Sequence, residues 1–141
     1  MGFAEFDIGR TLLIRAKHDS ELVQFLTEIV EEAGITTATF TAVGAVKRAK
    51  LGFYDQEKHE YCEIPVDSPH EIASCTGNVS LKDGKHFVHA HAVLSDRNGN
   101  TKAGHLIEAT VFAAEIHLHE LKGINPKREY DEETGLSLWT I

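Results

Sequence analysis

One stretch of this chain, residues 18–34, carries the periodicity of a long helix, and almost everything after Gly34 alternates as strands do. In HDSELVQFLTEIVEEAG, Leu22, Phe25, Leu26, Ile29, Val30 and Ala33 fall at helical spacing on one face. Asp19 or Ser20 is placed to cap this helix, its side chain accepting from the free N–H groups of the first turn. Gly34 stops it, because glycine tolerates the left-handed conformation just past a helix end. Residues 6–16 read as a first strand, with Leu12 and Ile14 alternating against Leu13 and Arg15. Further strands are expected over 37–43, 46–54, 61–66, 72–81, 86–94 and 105–121. Asn98-Gly99, flanked by apolar alternation, marks a hairpin. The tail from Asn125 is charged until Gly135, and the apolar stretch 136–141 could add an edge strand or dock on a neighbour.

The expected fold class is α+β, with a mostly antiparallel sheet of six or more strands and one main flanking helix. No repeat or linker divides residues 1–141, so a single domain is expected. The uncovered sheet face must be solvated or buried in an oligomer, and the apolar last strands favour the oligomer. With 141 residues, 42% of them hydrophobic, the chain can fold without staples, so a metal site would serve function rather than folding. Its formal charge of -8 repels phosphate backbones and anionic membrane surfaces. The one basic cluster, Lys47, Arg48 and Lys50, reads as a solvated strand. Cys62 and Cys75 lack the close spacing of a zinc ribbon or redox motif and read as free thiols of a reducing compartment. MGFAEFD has neither the basic segment nor the apolar core of a signal peptide, so the cytoplasm is the expected location.

Nine histidines stand out, and they include two H-x-H pairs. On a strand, residues i and i+2 share a face, so each pair sets two imidazoles side by side, as a chelate requires. Imidazole suits zinc, copper, nickel and iron. In HFVHAHAVL, Val88, Ala90, Ala92 and Leu94 make a core face, while His89 and His91 lie between Phe87 and Val93 on the other. That half-dry setting favours the neutral, metal-binding imidazole. In VFAAEIHLHEL, Phe112, Ala114, Ile116 and Leu118 make the apolar face, and His117 and His119 continue the charged stripe from Glu115. The first pair is therefore the candidate metal site. His105, beyond the hairpin and beside Gly104, is its candidate third ligand. One condition attaches. A strict two-residue hairpin at Asn98-Gly99 would pair His91 with Leu106 and turn His105 to the wrong face. An extra loop residue or a bulge at Gly104 is needed. Gly44 and Gly52 could permit close backbone approach at a pocket, but turn or bulge roles are favoured.

The segment HFVHAHAVLSDRNGNTKAGHLIEATVFAAEIHL resembles the second half of the PPC domain (plants and prokaryotes conserved) in its stand-alone prokaryotic form. The runs GRTLLIRAKHDSELVQFLTEIVEEAGI and FTAVGAVKRAKLGFYD are similar to its first half. The resemblance implies a large, mostly antiparallel sheet with a flanking helix, and a homotrimer formed through sheet surfaces. It also implies metal binding through H-x-H and a later Gly-Gly-His-like segment. Here those positions read His89, His91 and His105, with Ala103 in place of the first glycine. Plant members carry basic hooks that contact AT-rich DNA. This chain has no Arg-Gly-Arg-Pro hook, so that role does not carry over.

Three functional classes remain. The leading one is a trimeric regulatory module that binds one divalent ion per chain, zinc foremost, or a small-molecule ligand. The second is a metal-dependent hydrolase or lyase, since three protein ligands with an open fourth position is the arrangement of catalytic zinc. Its acid or base would have to be Glu108, Asp96 or Glu71. The third is a DNA-associated protein, which the charge disfavours. No nucleophile elbow, phosphate-binding loop or dinucleotide fingerprint points elsewhere.

Overall fold

The computed structural model describes residues 2–141. Strand β1 (Asp7–Arg15) leads into helix α1 (Leu22–Ala33). Five long strands follow: β2 (Ala38–Asp55), β3 (Glu60–Val66), β4 (His70–Lys82), β5 (Lys85–Ser95) and β6 (Thr101–Lys122). Two short ones, β7 (Lys127–Tyr130) and β8 (Ser137–Trp139), end the chain. The eight strands form one sheet in the order β3-β2-β6-β5-β4-β7-β8, with β1 on β6. Every pairing is antiparallel except β4 with β7, so the expected mostly antiparallel sheet with one helix is what the chain builds. The apolar stretch 136–141 does supply an edge strand, β8.

The sheet also closes on itself. The first half of β2 pairs with both β6 and β4, and β5 joins β4 to β6, so these four strands form a ring. Phe40, Ala42, Cys75, Ala90, Ala92, Leu94, Ile116 and Leu118 are buried in the resulting core. Beyond His91–Ser95, β5 has no pairing with β6, and α1 packs against both strands. Its buried residues Leu22, Leu26 and Val30 belong to the predicted apolar face.

The helix starts one or two residues later than expected. Its cap is Glu21, whose carboxylate accepts from the N–H groups of Val23 at 3.0 Å and Gln24 at 2.7 Å. The same carboxylate accepts from Ala109 N at 3.0 Å and so ties the helix to β6. Asp19 and Ser20 are engaged elsewhere: Asp19 pairs with Lys47, and the Ser20 hydroxyl donates to the Lys17 carbonyl. Gly34 ends the helix with φ 64°, as anticipated.

Two expected strands, 37–43 and 46–54, are one continuous β2. Gly44 has φ 142° and sits where the register with β4 slips, so the chain bends there without turning back. A side chain on Gly44 would run into the Ala113 carbonyl. Strand β6 slips as well, between the partners of Lys50 and Leu51 and again near Val46. The second slip leaves Val111 and Ala114 buried and puts Phe112, expected in the core, 57% exposed. Both cysteines are free, Cys75 buried and Cys62 exposed on β3.

Candidate metal centre

The hairpin between β5 and β6 decides whether three histidines can meet. Ser95 pairs with Thr101 and His91 with His105, so the loop is Asp96 to Asn100 and not a two-residue turn. Asp96 organises it by accepting from Asn98 N at 2.8 Å, Asn100 N at 2.9 Å and Asn100 Nδ2 at 3.2 Å. Gly99 takes φ 82°. The longer loop, rather than a bulge at Gly104, meets the condition set by the sequence. Gly104 instead lets two backbones approach, since a Cβ there would lie 2.5 Å from the Gly52 carbonyl oxygen. Gly52 is not a turn or bulge glycine. It stands in regular pairing with Glu63 and His105 and lines the same cleft as the histidines.

On β5, Val88, Ala90, Ala92 and Leu94 are buried, which turns His89 and His91 to the opposite face. One ring nitrogen from each of His89, His91 and His105 lies within 4.8 Å of the others. The ring centroids are 5.2, 5.4 and 5.7 Å apart. For one ion at ~2.0–2.1 Å from all three, the widest nitrogen separation must close by roughly 1.4 Å, within the reach of side-chain rotation. His105 stacks at a tilt on Tyr61, with 4.8 Å between ring centroids.

Burial keeps two of the imidazoles available as ligands. Burial pushes the His89 imidazolium pKa down to about 4, helped by the nearby Arg128 charge and by His105 and His91. Burial also lowers His105, with His91 contributing. Both rings are thus neutral near pH 7, with a lone pair to donate. His105 Nδ1 is buried without a hydrogen-bond partner, and a buried polar atom without one is costly. Three imidazoles, one with an orphaned nitrogen, fit a borderline-soft divalent cation.

The three rings open onto a cleft of about 550 Å³. Tyr54, Tyr61, Phe87 and Leu138 line it, together with Lys82 and Arg128. Sequence reasoning missed these last two. Arg128 lies in a charged tail with no periodicity to mark it, and only the β4–β7 pairing carries it to the cleft. The carboxylates named as candidate acids or bases are elsewhere. Asp96 caps its loop, Glu108 approaches Lys50 at 3.5 Å, and Glu71 pairs with Ser95 at the far end of β5. None of them lines the cleft. The second pair, His117 and His119, sits with ring centroids 4.5 Å apart on another part of the sheet. His119 Nδ1 lies 3.1 Å from the Thr11 hydroxyl, and His117 is exposed in the single chain.

Comparison with known proteins places the chain in a family. The profile of the Plants and Prokaryotes Conserved (PCC) domain covers residues 3–122. The chain belongs to that family, also abbreviated PPC. Among solved structures, a protein from Archaeoglobus fulgidus described as metal-containing is 44% identical, with full coverage of both chains and a TM-score of 0.96. A plant- and prokaryote-conserved protein from Pyrococcus horikoshii is 42% identical over 100% of this chain and 98% of its own, with a TM-score of 0.95. A candidate DNA-binding protein from Bacteroides thetaiotaomicron shares the fold at 22% identity, 95% and 96% coverage and a TM-score of 0.85. A search of the curated proteins gave no match.

Proposed function

We propose that this protein is a metal-binding regulatory module in which His89, His91 and His105 hold one divalent ion per chain, zinc foremost. The observation that carries the reading is the convergence of three imidazoles, one with a buried and unpartnered nitrogen. The metal-containing relative from Archaeoglobus fulgidus supports it. Three protein ligands leave a coordination position open, and a bound metal would supply Lewis acidity there. This chain's own residues would do the rest. Tyr61 braces His105, while Phe87, Tyr54 and Leu138 give the cleft apolar walls.

Binding is favoured over hydrolysis by the cleft lining, which includes no carboxylate to move a proton. A DNA role draws no support from the basic strand. Lys47 pairs with Asp19, and Lys50 lies 3.5–3.6 Å from Glu108 and Glu63. The homotrimer belongs to the same proposal. Leu13 and Val43, 83% and 55% exposed, border a shallow depression on the outer sheet face and suit burial against a second copy. No helix among the described residues is long and apolar enough to cross a membrane.

The test is the metal content of tag-free protein by elemental mass spectrometry, beside the His91→Ala variant. The reading expects close to one ion per wild-type chain and little in the variant. Metal in neither, after incubation with zinc, would overturn it.

A further inference from the structure

The cleft beside the histidines is cationic in a chain that is otherwise acidic. The sequence carries 22 acidic and 14 basic residues, yet the cleft is lined by Lys82 and Arg128 and by no Asp or Glu. Arg128 is only 8% exposed. Its Nε donates to Ser80 Oγ at 2.9 Å, Nη1 to the Ser137 carbonyl at 3.0 Å and Nη2 to Asn78 Oδ1 at 2.8 Å. All three partners are neutral. Among the described residues no carboxylate comes within 4.0 Å of either Arg128 or Lys82. A guanidinium carries five N–H groups, so these three bonds leave two free.

Both cations gather on one aromatic ring. Lys82 Nζ lies 5.2 Å and Arg128 Cζ 5.3 Å from the centroid of Phe87, and Arg128 is also 5.2 Å from the Trp139 ring. The ring quadrupoles attract each charge, but among the described residues no carboxylate pairs with either. A desolvated cation without a counter-ion is costly. A metal ion at the histidines would deepen the positive field. The missing component is an anion. The volume, about 550 Å³, exceeds what a bare ion needs, and Tyr54, Leu136 and Leu138 offer apolar surface.

We propose that the cleft binds a small organic oxyanion, a carboxylate or phosphate on an apolar body, its charged head against Lys82 and Arg128 and within reach of the metal. The metal part of this rests on the reading above, while the cationic part stands on Lys82 and Arg128 alone. The C-terminal segment, beyond the residues matched by the family profile, would then select the ligand, since it supplies Arg128, Leu136 and Leu138.

The test is calorimetric titration of zinc-loaded and chelator-stripped protein with benzoate, phenylphosphonate and benzyl alcohol. Zinc content is measured on each sample. At least one anion should bind tenfold or more tightly than the neutral alcohol, and the stronger of the two identifies the head group. Arg128→Gln should abolish that preference but could also loosen the tail, so Lys82→Gln is the safer variant. It should weaken anion binding threefold or more with zinc content unchanged. Zinc retained with no preference for anions would overturn this proposal and leave the metal centre standing. No zinc uptake would overturn the metal centre, and the same comparison on metal-free protein would still decide the anion site. Full binding by Lys82→Gln would also count against it.

Discussion

At the scale of single residues, the site depends on which way each imidazole points. His89 and His91 share a face because strand neighbours two apart always do. His105 joins them only because it stands directly opposite His91. Substituting any one leaves two ligands, so His89→Ala, His91→Ala and His105→Ala should each weaken zinc binding by tenfold or more in a chelator competition. His117→Ala should change it by less than twofold, because His117 lies on another part of the sheet. Equal losses in all four variants would remove the assignment. The cluster of three histidines was legible because their spacing and apolar neighbours carry a local signal. Arg128 was not, since no local pattern distinguishes a clamping arginine from a solvated one. Glu108, Asp96 and Glu71 were acceptable candidates by residue type, but type says nothing of direction.

Elements add the registers that set those directions. The strands were legible in number and kind because alternation survives in most of them. Their slips were not. Gly44 looked like a boundary between two strands, whereas its φ of 142° bends one strand in place. Phe112 fell on the apolar side of an unbroken alternation that the real β6 interrupts. The Asn98-Gly99 signal found the hairpin but not its length, which Asp96 sets by gathering three donors from the loop. Between β1 and β6, Glu120 accepts from Arg10 through N at 3.0 Å, Nε at 2.7 Å and Nη2 at 2.9 Å. Hydrogen bonds from the Arg10 side chain and backbone hold its pKa down to about 2, against an ordinary 4.5. The folded state therefore holds this carboxylate ionised where the unfolded chain protonates it. The resulting stability is present above pH 4.5 and is lost as pH falls towards 2. Thermal melts should find wild type more stable than Glu120→Gln at pH 6, with the gap narrowing between pH 4.5 and 2. A constant gap across that range would exclude this linkage.

For the whole molecule, closure of β2, β4, β5 and β6 into a ring is the feature least visible in the sequence. Closure requires β2 to pair on both sides over its first half, and periodicity reports only which face is apolar. The ring buries one face of each of its strands and leaves the other exposed, so Val43 of β2 lies open on the outside, as does Leu13 of β1, which pairs with β6. If that face joins copies, light scattering should give three times the 15.6 kDa chain mass. Leu13→Asp should lower the mass without unfolding the chain, since Leu13 contributes little to the core of a single copy. A monomeric wild type at micromolar concentration would contradict the trimer and leave the metal site untouched.

The central claim is that three histidines of one chain hold a metal ion beside an open cleft. X-ray absorption at the zinc edge of the loaded protein reads those ligands directly. The account predicts a shell of three imidazole nitrogens at ~2.0–2.1 Å plus one exchangeable oxygen ligand. Sulfur at ~2.3 Å, or a shell of oxygen alone, would contradict it.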